Sequence, residues 1–236
     1  MINYNIFAKF YDAAMGNRIR TNERIGNLIY KANPQAKNVL ELACGTGEIL
    51  KYLAKNYKVS GLDASQNMLA IAKKKVSQAK YYLQDMTNFK IDEKFDVILC
   101  VFDSINHLLK FSDWKKLFIN VEKHLNKNGV FIFDINTVLK LNSLVNRPSV
   151  NEFDKNILIM NVKDIGKGVT SWSVRVLEHT GSNNYKLSEE TIKEISFPAD
   201  QIIKTLKLIF NSVKVETANK DYSNNKADRL YFICKK

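Results

Sequence analysis

Cysteine and histidine are scarce: the 236 residues hold three of each. Cys44, Cys100 and Cys234 sit in or beside apolar runs with no pairing spacing. That excludes a disulfide framework and reads as buried thiols of a reducing compartment. His107, His124 and His179 form no spaced cluster with them, so no metal is expected. No apolar run approaches the roughly 20 residues that a bilayer span needs. The opening MINYNIFAKFYDAAM lacks a basic segment followed by an unbroken apolar one, so no signal peptide is expected and a cytoplasmic location is. The chain also lacks an Arg-rich stripe, a basic run with interleaved aromatics, internal repeats and low-complexity linkers.

What is present is a foldable composition, 45% hydrophobic and 11% aromatic, which excludes global disorder. The length suits one large domain, or one domain carrying an insertion. The formal charge of +12 is mostly lysine scattered through an Asn-, Ile- and Lys-rich sequence. That pattern reflects composition more than a nucleic-acid surface, so nucleic acid is not the expected partner.

Residues 1–36 read as helical and partly amphipathic, stopped by Pro34. Short apolar runs at 38–43, 58–62, 79–83, 95–102 and 129–135 then alternate with amphipathic segments near 47–56, 66–78 and 112–126. Such alternation predicts a mostly parallel, doubly wound α/β sheet with helices on both faces. NKNGVFIFDIN reads as a helix end, a glycine turn and a buried strand. After Asn136 the segments ILIMNVKDI, VTSWSVRVLEH and KLSEETIKEISF, separated by GKG and GSNN, predict a small half-exposed antiparallel sheet. A helix led by Pro198 and two last strands, VKVETA and RLYFICKK, follow. The expected organisation is one domain of residues 1–137 and 198–236 with an antiparallel insertion at 138–197, placed over the carboxyl edge of the parallel strands.

In VLELACGTGEIL, an apolar run ends at Gly45-x-Gly47 and a helical segment resumes. A dinucleotide fingerprint needs a third glycine where this chain has Leu50, and no Gly-Lys-Ser/Thr follows for a phosphate loop. The acids beside the turn suit a ligand without phosphate. Glu41, Asp63 and Asp85 end three consecutive apolar runs, at the edge where open α/β sheets bind ligands. S-adenosylmethionine (SAM) fits this set, with an ammonium for Glu41 and ribose hydroxyls for Asp63.

ELACGTGEIL, LDASQNML, QDMTNF, FDVILCVFDSINHLL and GVFIFDIN together resemble the class I SAM-dependent methyltransferases. The likeness is to the small-molecule type with an antiparallel lid, such as glycine and sugar-amine N-methyltransferases and their uncharacterised bacterial relatives. It implies a seven-stranded Rossmann-like sheet, SAM as cofactor with S-adenosylhomocysteine as product, no metal, and a monomer or homodimer. The resemblance further implies that the backbones of Ala43 and Gly45, with Gly47 completing the turn, face the amino-acid part of SAM. Ala64 and Met68 would line the adenine, Asp85 would accept from its amino group, and Met86 would offer a backbone amide. Cys100 would add a carbonyl to the ammonium, and Arg20 is similar to an arginine that reaches the SAM carboxylate. Tyr11 resembles an aromatic that closes over the site. His107, in FDSINHLL after the fourth strand, is the candidate base, since imidazole titrates near neutral pH. Asp103-Ser104-Ile105-Asn106 differs from the Asn/Asp-Pro-Pro-aromatic element of nucleic-acid base methylation, which argues against base amines. Trp172 and Trp114 are candidate walls of an acceptor pocket. SAM binding without catalysis, a nicotinamide enzyme, and action on RNA or protein remain the alternatives.

Overall fold

The computed structural model describes residues 7–16, 18–218 and 226–236. A 3₁₀ turn at Phe7–Lys9 comes first, followed by the short helix α1 (Tyr11–Met15) and the longer α2 (Ile19–Ala32). The alternating part follows as β1 (Asn38–Leu42), α3 (Glu48–Leu53), β2 (Lys58–Asp63), α4 (Gln66–Lys75), β3 (Lys80–Leu83), β4 (Phe95–Cys100), α5 (Phe111–His124) and β5 (Leu125–Asn136). Next come α6 (Val138–Leu144), four strands, β6 (Ser149–Phe153), β7 (Asn156–Asp164), β8 (Val169–Gly181) and β9 (Asn184–Ile195), then α7 (Ala199–Leu206), β10 (Ser212–Thr217) and β11 (Arg229–Lys235).

The seven-stranded sheet has the order β10-β11-β5-β4-β1-β2-β3, with β11 alone running against its neighbours. Its burial follows from side-chain alternation. Phe131, Phe133 and Ile135 of β5 pack with Trp114, Leu117 and Phe118 of α5 and with Ile202 and Leu206 of α7. Val130 and Ile132 point the other way, into a core with Ile25 and Ile29 of α2 and Leu50 of α3. Chain order reverses between β1 and β4, so the carboxyl ends of these neighbours flank the crevice where open α/β sheets take ligands. Local signals start the helices: Ser65 accepts a hydrogen bond from the Met68 N–H to open α4, and Thr137 accepts from Lys140 N–H to open α6. Pro198 precedes α7.

The second sheet, β6-β7-β8-β9, is antiparallel throughout. One face carries Leu158, Val174, Val176 and Ile192, covered by Phe10, Tyr11 and Ala14 around α1. Outside that cluster Val150, Tyr185 and Leu187 are exposed. Among the described residues no helix is long and apolar enough to cross a membrane.

Three expectations change. NKNGVFIFDIN contains no helix end: β5 already begins at Leu125, which pairs with Phe95 before Val130 pairs with Val97. The intervening residues form an irregularity with Asn128 at φ 67°, so the glycine turn is a bulge inside a strand. Edge strand β6 and helix α6 were not legible, because SVNEF is mostly polar and VLKLNSL carries less than two turns of pattern. Of the first segment, residues 1–6 and 17 lie outside the described residues.

Gly61, in the middle of β2, faces crowded neighbours. A Cβ there would stand 2.7 Å from Leu50 Cδ1 and 2.8 Å from Cys44 Sγ. Gly61→Ala is expected to destabilise the protein by about 1–3 kcal/mol through overpacking. Thermal denaturation should show the melting point falling by about 2–4 °C per kcal/mol; an unchanged melting point would mean that the core yields freely there.

Candidate active site

The turn after β1 is built from left-handed backbone, with Ala43 at φ 52°, Gly45 at φ 53° and Gly47 at φ 79°. Its two glycines differ in purpose. A Cβ on Gly45 meets nothing within 4 Å, because that residue faces an open cavity. A Cβ on Gly47 lies 3.1 Å from Ala72 Cβ, so Gly47 permits close packing of α4 against the turn and does not line the cavity. Cys44 N–H donates to the Leu62 carbonyl at 3.0 Å, tying the turn to β2.

Asp63 stands at the end of β2 between two backbone donors. Gly45 N–H donates to its Oδ2 and Ser65 N–H to its Oδ1, each at 2.8 Å. Burial pushes this carboxyl up, and the backbone donors oppose that shift. After β3, Asp85 Oδ1 accepts from Thr87 N–H at 2.7 Å and Thr87 Oγ at 2.6 Å, and Asp85 and Met86 join Asp63, Ala64 and Met68 on the cavity wall. Glu41 lies beneath the turn, 3% exposed. Its Oε2 has no hydrogen-bond partner among the described residues. Burial and the Asp63 charge hold its carboxyl well above the usual range.

Tyr11 and Arg18 close this end. The Arg18 guanidinium lies 4.9 Å from the Tyr11 ring centre and 4.4 Å from that of Phe102. Burial raises the Tyr11 phenol, with Arg18 opposing. Helix α1 is clamped over the turn: Asp12 accepts from Thr46 Oγ at 2.5 Å and from Lys75 Nζ at 2.7 Å, and Lys75 also pairs with Glu48.

Two expected contacts move. Arg20 is exposed on α2, and the arginine on the cavity wall is Arg18, two residues earlier at the helix cap. Cys100 is fully buried, its Sγ 3.9 Å from Met86 Sδ, and does not line the cavity. Phe102 and Asp103 take that place, because their left-handed backbone (φ 57° and 53°) turns the chain out of β4 only after Val101.

Beyond β4 the short 3₁₀ segment Ser104–His107 is pinned by Asn106. Asn106 Nδ2 donates to the carbonyls of Asn136 at 3.0 Å and Ile195 at 2.8 Å, and its Oδ1 accepts from Asn136 N–H at 3.1 Å. His107 is thereby brought to β9, with Nδ1 3.4 Å from the Lys193 carbonyl. A carbonyl only accepts, so this contact favours the tautomer with its proton on Nδ1 and a lone pair on Nε2. Burial holds the imidazole below its ordinary pKa, hence neutral near pH 7. Trp172 of β8 lines the same cavity. Trp114 does not: it is core, its Nε1–H donating to the Leu108 carbonyl at 2.9 Å.

Sequence reasoning missed a buried ionic group on the far wall. Arg229 donates to Asp134, to Asp103 Oδ1 at 2.6 Å and to Asn136 Oδ1 at 3.0 Å. Asn136 also hydrogen-bonds Glu194. Register explains Arg229–Asp134: Arg229 pairs with Asn136 across β11 and β5, which puts Asp134 on the same face, two residues away. The only hint in the chain was the interruption of the apolar run GVFIFDIN by Asp134 and its polar end at Asn136.

One cavity of about 1110 Å³ joins these parts, from Asp63 and Met68 at one end to Trp172 and Glu194 of the small sheet at the other. Single-ligand pockets are typically about 300–1,000 Å³, so there is room for two ligands side by side. The cradle fits SAM in its chemistry: an open glycine turn and an aspartate at the place of a diol line the cavity, and Glu41, with a buried oxygen lacking a partner, lines a small adjoining pocket that shares Tyr11, Arg18 and Gly45 with it. Among the described residues no group of three or more His, Cys, Asp or Glu is arranged to hold a metal ion.

Known proteins agree with this geometry. Residues 39–129 match the family model described as a methyltransferase domain. A candidate methyltransferase of Geobacillus sp. is 26% identical over 218 residues, 85% of each chain. The dTDP-3-amino-3,6-dideoxy-alpha-D-glucopyranose N,N-dimethyltransferase of Streptomyces fradiae is 32% identical over 108 residues, 45% of this chain and 42% of that one, so the match spans less than half of that relative. A crystal structure of an S-adenosylmethionine-dependent methyltransferase from Clostridium acetobutylicum superimposes with a TM-score of 0.84, 29% identity and 98% coverage of both chains. The switch-point cavity, the matched domain and this shared fold identify the chain as a class I SAM-dependent methyltransferase.

Proposed function

We propose that the protein transfers a methyl group from SAM to an amino group of a small molecule, and that it works in the cytoplasm. The observation that carries this reading is one cavity whose lining runs from the strand ends of the parallel sheet, the proposed cofactor cradle, to Trp172, Ile192 and Glu194 of the second sheet. Amine acceptors are favoured because a buried carboxylate, Glu194, lines the cavity with an unpartnered oxygen and because the Streptomyces fradiae relative is named for N,N-dimethylation of an aminosugar.

SAM supplies an electrophilic methyl group on a sulfonium, so the protein's work is alignment, exclusion of water and proton removal. In this reading Asp63 holds the ribose hydroxyls, Ala64 and Met68 flank the adenine, and Asp85 and Met86 meet its polar edge. The backbones of Ala43 and Gly45 lie along the amino-acid part. Glu41 offers its unpartnered oxygen to the ammonium, and Arg18 takes the carboxylate. The insertion acts as a lid, and Tyr11 with Arg18 and Phe102 closes the cofactor side. His107, neutral and with Nε2 carrying the lone pair, takes the proton that an ammonium must lose before its nitrogen can attack.

A screen of small amines, acids and aminosugars with labelled SAM, read by mass, tests the reading; no methylated product from any class, with SAM bound, would leave a SAM-binding protein. With an acceptor in hand, His107→Ala is expected to lower kcat by about 10²–10⁴-fold while the Kd for SAM stays within a factor of two or so. Tyr11→Phe should show a milder loss. Full turnover in His107→Ala would leave alignment and desolvation as the whole mechanism.

A further inference from the structure

We infer that Glu194 is the residue that selects a cationic acceptor, holding its ammonium group at the far wall of the cavity. The inference rests on the methyl-transfer reading above and goes beyond it by assigning the acceptor's charge to a named side chain. Glu194 is 5% exposed yet lines the cavity, and its Oε2 has no hydrogen-bond partner among the described residues. A buried carboxylate oxygen without a partner costs free energy, which a ligand donor can recover. Its other support is in place, because Asn136, fixed by Arg229, hydrogen-bonds it.

The charge balance points to the same ligand. Beside Glu194 stand Asp103 from the turn after β4 and Arg229 from β11, and Asp134 of β5 pairs with that arginine. The Arg229 guanidinium is already committed to Asp134 and Asp103 by ion pairs. Two lysines also line the cavity: Lys193, next on the same strand, is exposed to solvent, and Lys140 of α6 pairs with Asp228 at 3.6 Å. His107 is held neutral by burial. An incoming ammonium supplies the missing positive charge, and a neutral hydroxyl does not.

Burial and Asp103 push the Glu194 carboxyl up to about 8. It is therefore protonated over much of the neutral range in the free enzyme, and ammonium binding should improve as pH rises through that value, until the amine itself loses its proton. The raised value also sets the sign for stability. The folded state holds a proton that the unfolded state releases at its ordinary carboxylate pKa. Glu194 thus lowers stability progressively as pH climbs from there to about 8.

The test uses matched probes, cyclohexylamine against cyclohexanol and benzylamine against benzyl alcohol, titrated calorimetrically into the protein saturated with S-adenosylhomocysteine at pH 8.5. Wild type is expected to bind at least one amine about tenfold or more tighter than its hydroxyl partner, a difference of about 1.4 kcal/mol. Glu194→Gln should abolish that preference while keeping the Kd for SAM and melting at pH 8.5 no lower than wild type. With an acceptor from the mass screen, the same variant should raise KM far more than it lowers kcat, opposite to His107→Ala. Two results overturn the inference. One is amine preference unchanged in Glu194→Gln; the other is no amine preference in wild type. Failure of wild type to bind SAM would instead overturn the methyltransferase reading.

Discussion

Asp63→Ala is expected to weaken SAM binding by about tenfold to a hundredfold. The carboxylate has two duties. It accepts from Gly45 and Ser65 N–H at 2.8 Å, which locks the glycine turn to the end of β2, and it presents its remaining lone pairs to the cavity. Hydrogen bonds to a charged group contribute about 1.5–3 kcal/mol, and each 1.4 kcal/mol is a factor of about ten in Kd. Removing the side chain also frees two backbone donors of a half-buried turn, so a modest fall in melting temperature should accompany the affinity loss. Asp63→Asn keeps one acceptor oxygen and should fall between wild type and Asp63→Ala. Calorimetric titration with SAM separates the outcomes; a folded Asp63→Ala with wild-type affinity would remove Asp63 from the cofactor site.

Arg229→Met should be the most destabilising of these changes, costing about 3–5 kcal/mol at pH 8, because it breaks a buried ion pair by deleting one partner. The partners it abandons are Asp134, whose side chain is 1% exposed, and Asp103 at 19%. Burial already pushes the Asp134 carboxyl up to about 6, with Arg229 the main opposing influence. Without the guanidinium that value rises further. Between the ordinary carboxylate pKa and the raised one, the folded state binds more protons than the unfolded state, so stability falls as pH rises. The loss in Arg229→Met should therefore be smaller at pH 5, where Asp134 can take a proton, than at pH 8. Chemical denaturation at both values measures it; equal losses would mean that the two carboxylates do not depend on Arg229.

The parts legible in the chain were those with local or periodic causes. Phe131, Phe133 and Ile135 alternate with Val130 and Ile132 because neighbouring side chains of a buried strand enter different cores. Asp63 and Asp85 could be marked because each ends an apolar run, and run ends on one side of a parallel sheet share an edge. Arg20 and Cys100 were misplaced for a related reason. Each lies within two or three residues of the cavity, but a helix cap and two left-handed residues decide which neighbour turns inward.

Composition, periodicity and the glycine turn by themselves determined the α/β class, the turn after β1 with its acid-ended neighbouring strands, and the presence of a second, antiparallel sheet after Asn136. These depend on the order of residues a few positions apart, which the chain displays directly. Only the tertiary structure decided that α1 is clamped across the turn by Asp12 and Lys75, and that His107 meets β9 through Asn106. It also decided that Arg229, Asp103 and Glu194 meet on one wall, with Asp134 paired to Arg229, although Asp103 and Arg229 are 126 positions apart. Such a wall has no local signature, because its members are brought together by strand register and a shared burial that no short window of sequence contains.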